Sequence, residues 1–168
     1  MKNKPTTRIK KPAAFYISMN DEDFMRLAIA KTKEGIKQGQ TPVGACIVKN
    51  GKFIVCEHNV VWKTTDSTAH AEVNAIRQAC KKLKTIDLSG CVIYSTTEPC
   101  PMCYSAIHWA RIKKIFYGAS IADAKKAGFN ELAISDSTMK KIGKDKIKIE
   151  SGLLRKECVE LFGLWKKS

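Results

Sequence analysis

The spacing that most constrains this chain is His70-Ala71-Glu72 followed, thirty positions on, by Pro99-Cys100-Pro101-Met102-Cys103. Each half opens a segment of helical pattern. After His70 comes A-E-V-N-A-I-R-Q-A-C-K-K-L, with Val73, Ile76, Cys80 and Leu83 along one stripe. In the second half, Pro101 suits an early helical position, where its missing N–H would be unpaired in any case. An imidazole, two thiols and a carboxylate are thus expected at two helix starts, and the fold has to bring those starts together. A catalytic zinc ion requires three protein ligands and an open fourth position. His70, Cys100 and Cys103 supply the three. The positive end of a helix favours both cysteines as thiolates. Glu72 is too close to His70 to be a comfortable fourth ligand. It is near enough to take a proton from a zinc-activated water, whose pKa falls to roughly 7. The expectation is one Zn2+ per chain, with Glu72 as the catalytic proton shuttle.

Two other readings of the same residues are weaker. A structural zinc site needs a fourth ligand, and His58, His108, Cys46, Cys56, Cys80, Cys91 and Cys158 form no second paired motif. A redox Cys-x-x-Cys pair, or a zinc-binding module without catalysis, has no use for Glu72.

At 168 residues the chain is expected to be one domain, able to bury a core without staples. Residues 1–17, with prolines at 5 and 12 and no acid before Asp21, read as a basic, flexible arm ahead of a domain over 18–168. The seven cysteines are odd in number and two are spent on metal, so a reducing, cytoplasmic setting is expected. No apolar stretch suits a signal peptide or a membrane span, so no membrane partner is expected. The formal net charge of +14 points towards polyanions, although 25 of the 30 basic residues are lysine. Lys140, Lys141, Lys144, Lys146 and Lys148 crowd what reads as a late loop and strand.

Patterning predicts the order α-β-β-α-β-α-β-α-β-α. A helix runs from about Asp21 to near Gly39, using Phe24, Leu27, Ala28 and Ile36. V-G-A-C-I-V-K and F-I-V-C-E-H flank Asn50-Gly51, a hairpin signal. The strands C-V-I-Y-S-T, K-I-F-Y-G-A and K-I-K-I-E alternate with helices. The last helix carries Leu154, Cys158, Leu161, Phe162 and Trp165 as its core face. Alternation after a hairpin implies a mixed sheet with helices on both faces.

With these residues assembled, the chain from about Asp21 onwards resembles the cytidine/deoxycytidylate deaminase superfamily. Within it, the match is to the branch of guanine deaminases, tRNA adenosine deaminases and cytosine deaminases. The likeness rests on T-P-V-G-A-C-I-V, T-A-H-A-E-V-N-A-I-R and T-T-E-P-C-P-M-C. It implies an α/β fold, a three-layer α/β/α sandwich with a five-stranded mixed sheet, and a homodimer built around the active sites. It implies that His70, Cys100 and Cys103 bind zinc and that Glu72 shuttles protons. It places Asn59 on the edge of the base and Trp109 against the ring. Asp123, Phe129 and Ala71 join them as substrate-binding positions, while Glu98 orients the zinc loop. Trp109, Asp123 and A-K-K-A-G-F-N follow the guanine deaminase pattern. Val43 and the C-terminal strand and helix follow the tRNA-editing type. The expected substrate is a purine base or nucleoside of the guanine type, losing its amine as ammonia. Wobble adenosine in tRNA, and cytosine or cytidine, remain open as alternatives.

Overall fold

The structure, a computed structural model, describes residues 19–166; the arm expected over 1–17 lies outside the described residues. Helix α1 (Asp21–Lys37) starts at a reciprocal cap: Asn20 accepts from the Asp23 N–H, and the Asp23 carboxylate accepts from the Asn20 N–H. Strands β1 (Gly44–Lys49) and β2 (Lys52–His58) join through Asn50 and Gly51, whose φ values of 50° and 71° are those of a two-residue hairpin turn. The chain continues through α2 (Val61–Thr64), α3 (Ala71–Leu83), β3 (Cys91–Thr97) and α4 (Pro101–Trp109). It ends with β4 (Lys114–Ala119), α5 (Ile121–Lys126), α6 (Asp136–Gly143), β5 (Lys148–Ser151) and α7 (Arg155–Trp165).

The five strands form one mixed sheet in the order β2-β1-β3-β4-β5. β1 is antiparallel to both neighbours, while β3, β4 and β5 run parallel. Strand alternation splits the core in two. Cys46, Val48, Tyr94 and Phe116 face α1 and α7, whereas Ala45, Ile47, Ile93 and Ile115 face α3 and α4. The result is the expected three-layer α/β/α sandwich. Helix α7 lies close on its face because Gly118 has no Cβ; one there would stand 2.7 Å from the Cys158 Cβ.

Two expectations about elements are corrected. The deepest stripe of α3 is Ala71, Ala75 and Ala79, with Val73, Ile76, Cys80 and Leu83 only half buried. Small residues let this helix approach the sheet, and the bulkier ones flank the contact. The segment bearing Lys140, Lys141 and Lys144 is not a loop: it is α6 and its C-cap, started by the Ser135 hydroxyl accepting from the Thr138 N–H. The one-turn α2 was also not anticipated.

Candidate active site

His70 and Cys100 are the N-cap residues of α3 and α4, and neither side chain makes a capping hydrogen bond. An N-cap side chain that satisfies no backbone donor forgoes about 1 kcal/mol of helix stability. By contrast, α1, α5 and α6 are capped by Asn20, Ser120 and Ser135. The two uncapped side chains instead converge with Cys103, in the first turn of α4. The ligand atoms of His70, Cys100 and Cys103 all lie within 4.8 Å of one another, the one such cluster among the described residues. His70 Nδ1 is 3.7 Å from Cys100 Sγ and 3.5 Å from Cys103 Sγ. A tetrahedral zinc with Zn–S of about 2.3 Å and Zn–N of about 2.05 Å would set an S···N edge of about 3.6 Å. The donor set and its spacing therefore fit zinc.

The electrostatics fit as well. Cys100 is held down to about 4 by its hydrogen bond with Cys103 and, behind that, by His70. The deeper Cys103 is pushed up by the same hydrogen bond and by burial. One proton is shared where a dication would take both sulfurs as thiolates. His58 and His108 are occupied elsewhere, His58 Nδ1 with the Asn59 carbonyl at 2.7 Å and His108 Nδ1 with Asp145 at 2.7 Å.

Glu72 lies beside the triad, 3% exposed. Its Oε1 accepts from the Ser95 hydroxyl at 3.1 Å and its Oε2 from the Cys103 thiol at 3.4 Å. Burial raises its pKa, partly offset by His70. A cavity of about 120 Å³ opens above it. That is below the roughly 300–1,000 Å³ of pockets for drug-sized ligands, and it suits one small planar group. Asn59, Thr97, Phe129 and Glu131 stand on its wall together with Glu72 and His70. The Asn59 Oδ1 accepts from the Val61 N–H at 3.1 Å, leaving its NH2 end without a partner among the described residues. Phe129 is braced by Phe162 and Trp165, each ring centroid 5.3 Å away.

Three expected substrate contacts are not brought to this wall. Ala71 is fully buried on the sheet-facing side of α3. Asp123 joins α5 to α7: its carboxylate accepts from the Ser120 N–H and hydroxyl and forms a two-point pair with Arg155. Trp109, at the far end of α4, is 79% exposed, its ring 5.4 Å from that of His108 in an edge-to-face arrangement. Glu98, directly before Pro99, accepts from the N–H groups of Ile121 and Asp136, the first residues of α5 and α6.

Two residues of the site escaped the sequence reading. Ser95 is a fully buried hydroxyl in an apolar strand, and that polar break in C-V-I-Y-S-T-T was its signal. Glu131, half buried on the cavity wall, has its pKa raised by burial and by the Cys100 charge. Its signal was an acid two residues after Phe129, just past the left-handed turn at Gly128.

The family model of the cytidine and deoxycytidylate deaminase zinc-binding region matches residues 18–119. The guanine deaminase of Bacillus subtilis (strain 168) is 48% identical over 114 residues, covering 67% of this chain and 73% of that protein. The tRNA-specific adenosine deaminase of Buchnera aphidicola subsp. Schizaphis graminum is 35% identical over 144 residues, covering 86% and 92%. A solved guanine deaminase from Nitrosomonas europaea superposes with a TM-score of 0.82 at 26% identity, covering 89% of this chain and 86% of that one.

Proposed function

This chain belongs to the cytidine and deoxycytidylate deaminase family and is a hydrolytic deaminase; on that premise we propose that it acts on a purine base or nucleoside of the guanine type. Its triad holds one zinc per chain. Zinc, when bound, supplies Lewis-acid activation of a water molecule, lowering its pKa towards 7. Glu72 takes the proton of the attacking water and delivers it to the ring nitrogen beside the amine-bearing carbon. A second transfer through Glu72 lets the amine leave as ammonia, and the carbon keeps the water oxygen as a carbonyl. Ser95 fixes Oε1 of Glu72; Oε2, which accepts from the Cys103 thiol, is released to face the reacting atoms once that sulfur is a thiolate ligand. The Asn59 NH2 donates to the edge of the base, Phe129 packs on its face and Glu131 accepts from a ring N–H. The observation that carries this reading is the pairing of buried Glu72 with Glu131 on one small cavity beside the triad.

Asp123 and Ala71 support the cavity from behind, and Trp109, exposed in the single chain, is covered in a homodimer. Wobble adenosine in tRNA is the second reading, favoured by similarity across 92% of the Buchnera enzyme. Ammonia release from zinc-loaded protein decides between them, using guanine, guanosine, adenine, adenosine, cytosine, cytidine and a tRNA anticodon stem-loop. Turnover of guanine or guanosine above the rest is expected. Turnover of the stem-loop alone, or of cytosine alone, overturns the proposal.

A further inference from the structure

The lysines that crowd the late part of the chain are not used by the deaminase chemistry. The fold gathers two of them, Lys146 and Lys148, with three earlier cations on one concave surface. Arg111, Lys113 and Lys114, entering β4, face Lys146 and Lys148, entering β5, across a groove of about 560 Å³. One acid lines it, Asp145, and that carboxylate is already taken by the His108 ring, the Tyr104 hydroxyl and the Ile147 N–H. Arg111 pairs with Asp87 and Lys114 with Glu150. Lys113, Lys146 and Lys148 are exposed and have no ion pair among the described residues.

The backbone holds these cations in place. The Lys148 N–H donates to the Lys113 carbonyl at 3.1 Å, and the Lys113 N–H to the Cys91 carbonyl at 3.1 Å. Lys114 and Lys148 are register partners on adjacent parallel strands. Like charges held side by side on neighbouring strands are unfavourable, and an anion lying between them relieves the repulsion. The groove is at the opposite end of the sheet from the zinc triad: β4 begins here and ends at Ala119, beside Glu98. Six residues of strand separate the two ends by about 17 Å, too far for the phosphate of a mononucleotide whose base is in the cavity.

We propose that this groove binds the phosphodiester backbone of a nucleic acid, as a second site remote from the deaminase centre. Several unpaired cations along an open groove suit a row of phosphates, and backbone contacts of this kind carry no base information. The inference does not depend on which base is deaminated.

The test measures binding, not turnover. A 20-nucleotide single-stranded RNA of mixed sequence is titrated with zinc-loaded protein over a range of salt. The groove variant is Lys113→Glu/Lys146→Glu/Lys148→Glu, with a milder Lys113→Gln/Lys146→Gln/Lys148→Gln version in case the first folds poorly. A control, Lys52→Glu/Lys63→Glu/Lys81→Glu, changes net charge by the same amount at three exposed lysines elsewhere. Each lysine–phosphate pair removed from a single strand lowers the log–log salt slope by about 0.7, so removing three lowers it by about 2. The groove variants should fall at least about tenfold in affinity with that change of slope, and the control should stay within about threefold. Release of ammonia from a free base by the groove variants should be unchanged. Equal falls in groove and control variants, no fall in either, or groove-dependent binding to phosphatidylserine vesicles in place of RNA would overturn the proposal.

Discussion

In the proposed mechanism Glu72 is the proton carrier and the triad the metal ligands, and substitution separates the two roles. Glu72→Gln keeps the Ser95 hydrogen bond and the volume but cannot carry a proton. Bound zinc and the folded state should persist while turnover falls by at least about 10²-fold. Cys103→Ala should instead lose zinc, as read by metal analysis after desalting. Retained turnover in the first variant with zinc lost would mean that ligand and shuttle had been exchanged. Asp136 makes a different prediction. Its carboxylate is fully buried, and neither oxygen has a hydrogen-bond partner among the described residues. Burial, reinforced by the Glu98, Glu72 and Cys100 charges, pushes its pKa up to about 8. An unfolded aspartate titrates near 3.9, so between about pH 4 and pH 8 the native state holds a proton that the unfolded state has released. The contribution of this group is full below that window and is lost as pH rises through it. Asp136→Asn should flatten the fall in Tm between pH 5 and pH 8; parallel profiles for the two proteins would refute this. At this scale the triad was legible because consecutive motif positions sit on helix starts. Glu131 and Asp136 were not, since what distinguishes them is the surroundings that distant segments build around them.

Among the elements, α5 and α7 are joined by one ion pair whose strength pH can probe. Asp123 is buried, which disfavours its charge, yet hydrogen bonds from Arg155 and Ser120 hold it down to about 2. A depressed carboxylate stabilises the native state above its unfolded pKa near 3.9, and that stability is lost as pH falls towards about 2. Arg155 is 58% exposed, so solvent screens the pair. Arg155→Met should cost about 1 kcal/mol by denaturant midpoint at neutral pH, with a shallower loss below pH 4 than in the parent protein. No change at either pH would show that the helices are held by packing alone. Ala75→Leu tests the layer on the other face of the sheet: with no room against the strands, it should cost about 1–3 kcal/mol. The hairpin at Asn50-Gly51 was readable because its turn residues encode backbone angles. Helix α6 was not, because its only fully buried residue is a carboxylic acid and Met139 and Ile142 alone make too short an apolar pattern to announce a helix.

For the whole molecule, the parallel strands set the distances on which everything else depends. β3 and β4 end at the candidate site's cavity and begin near the cationic groove, so the two sites occupy opposite ends of one sheet. Among the described residues no helix is long and apolar enough to cross a membrane. The layered fold was legible from strand and helix alternation, whereas the sheet order, with β1 between β2 and β3, needed the structure. Glu98 carries the last consequence. Its two oxygens hold the first amides of α5 and α6, and it directly precedes the loop that presents Cys100. The Cys100 loop and both helices are therefore expected to open as one cooperative unit. Chelating zinc should speed hydrogen exchange at Ile121 and Asp136 together with Cys103, while the β1–β3 ladder keeps its protection. Exchange that rises at Cys103 alone would make the loop a unit of its own.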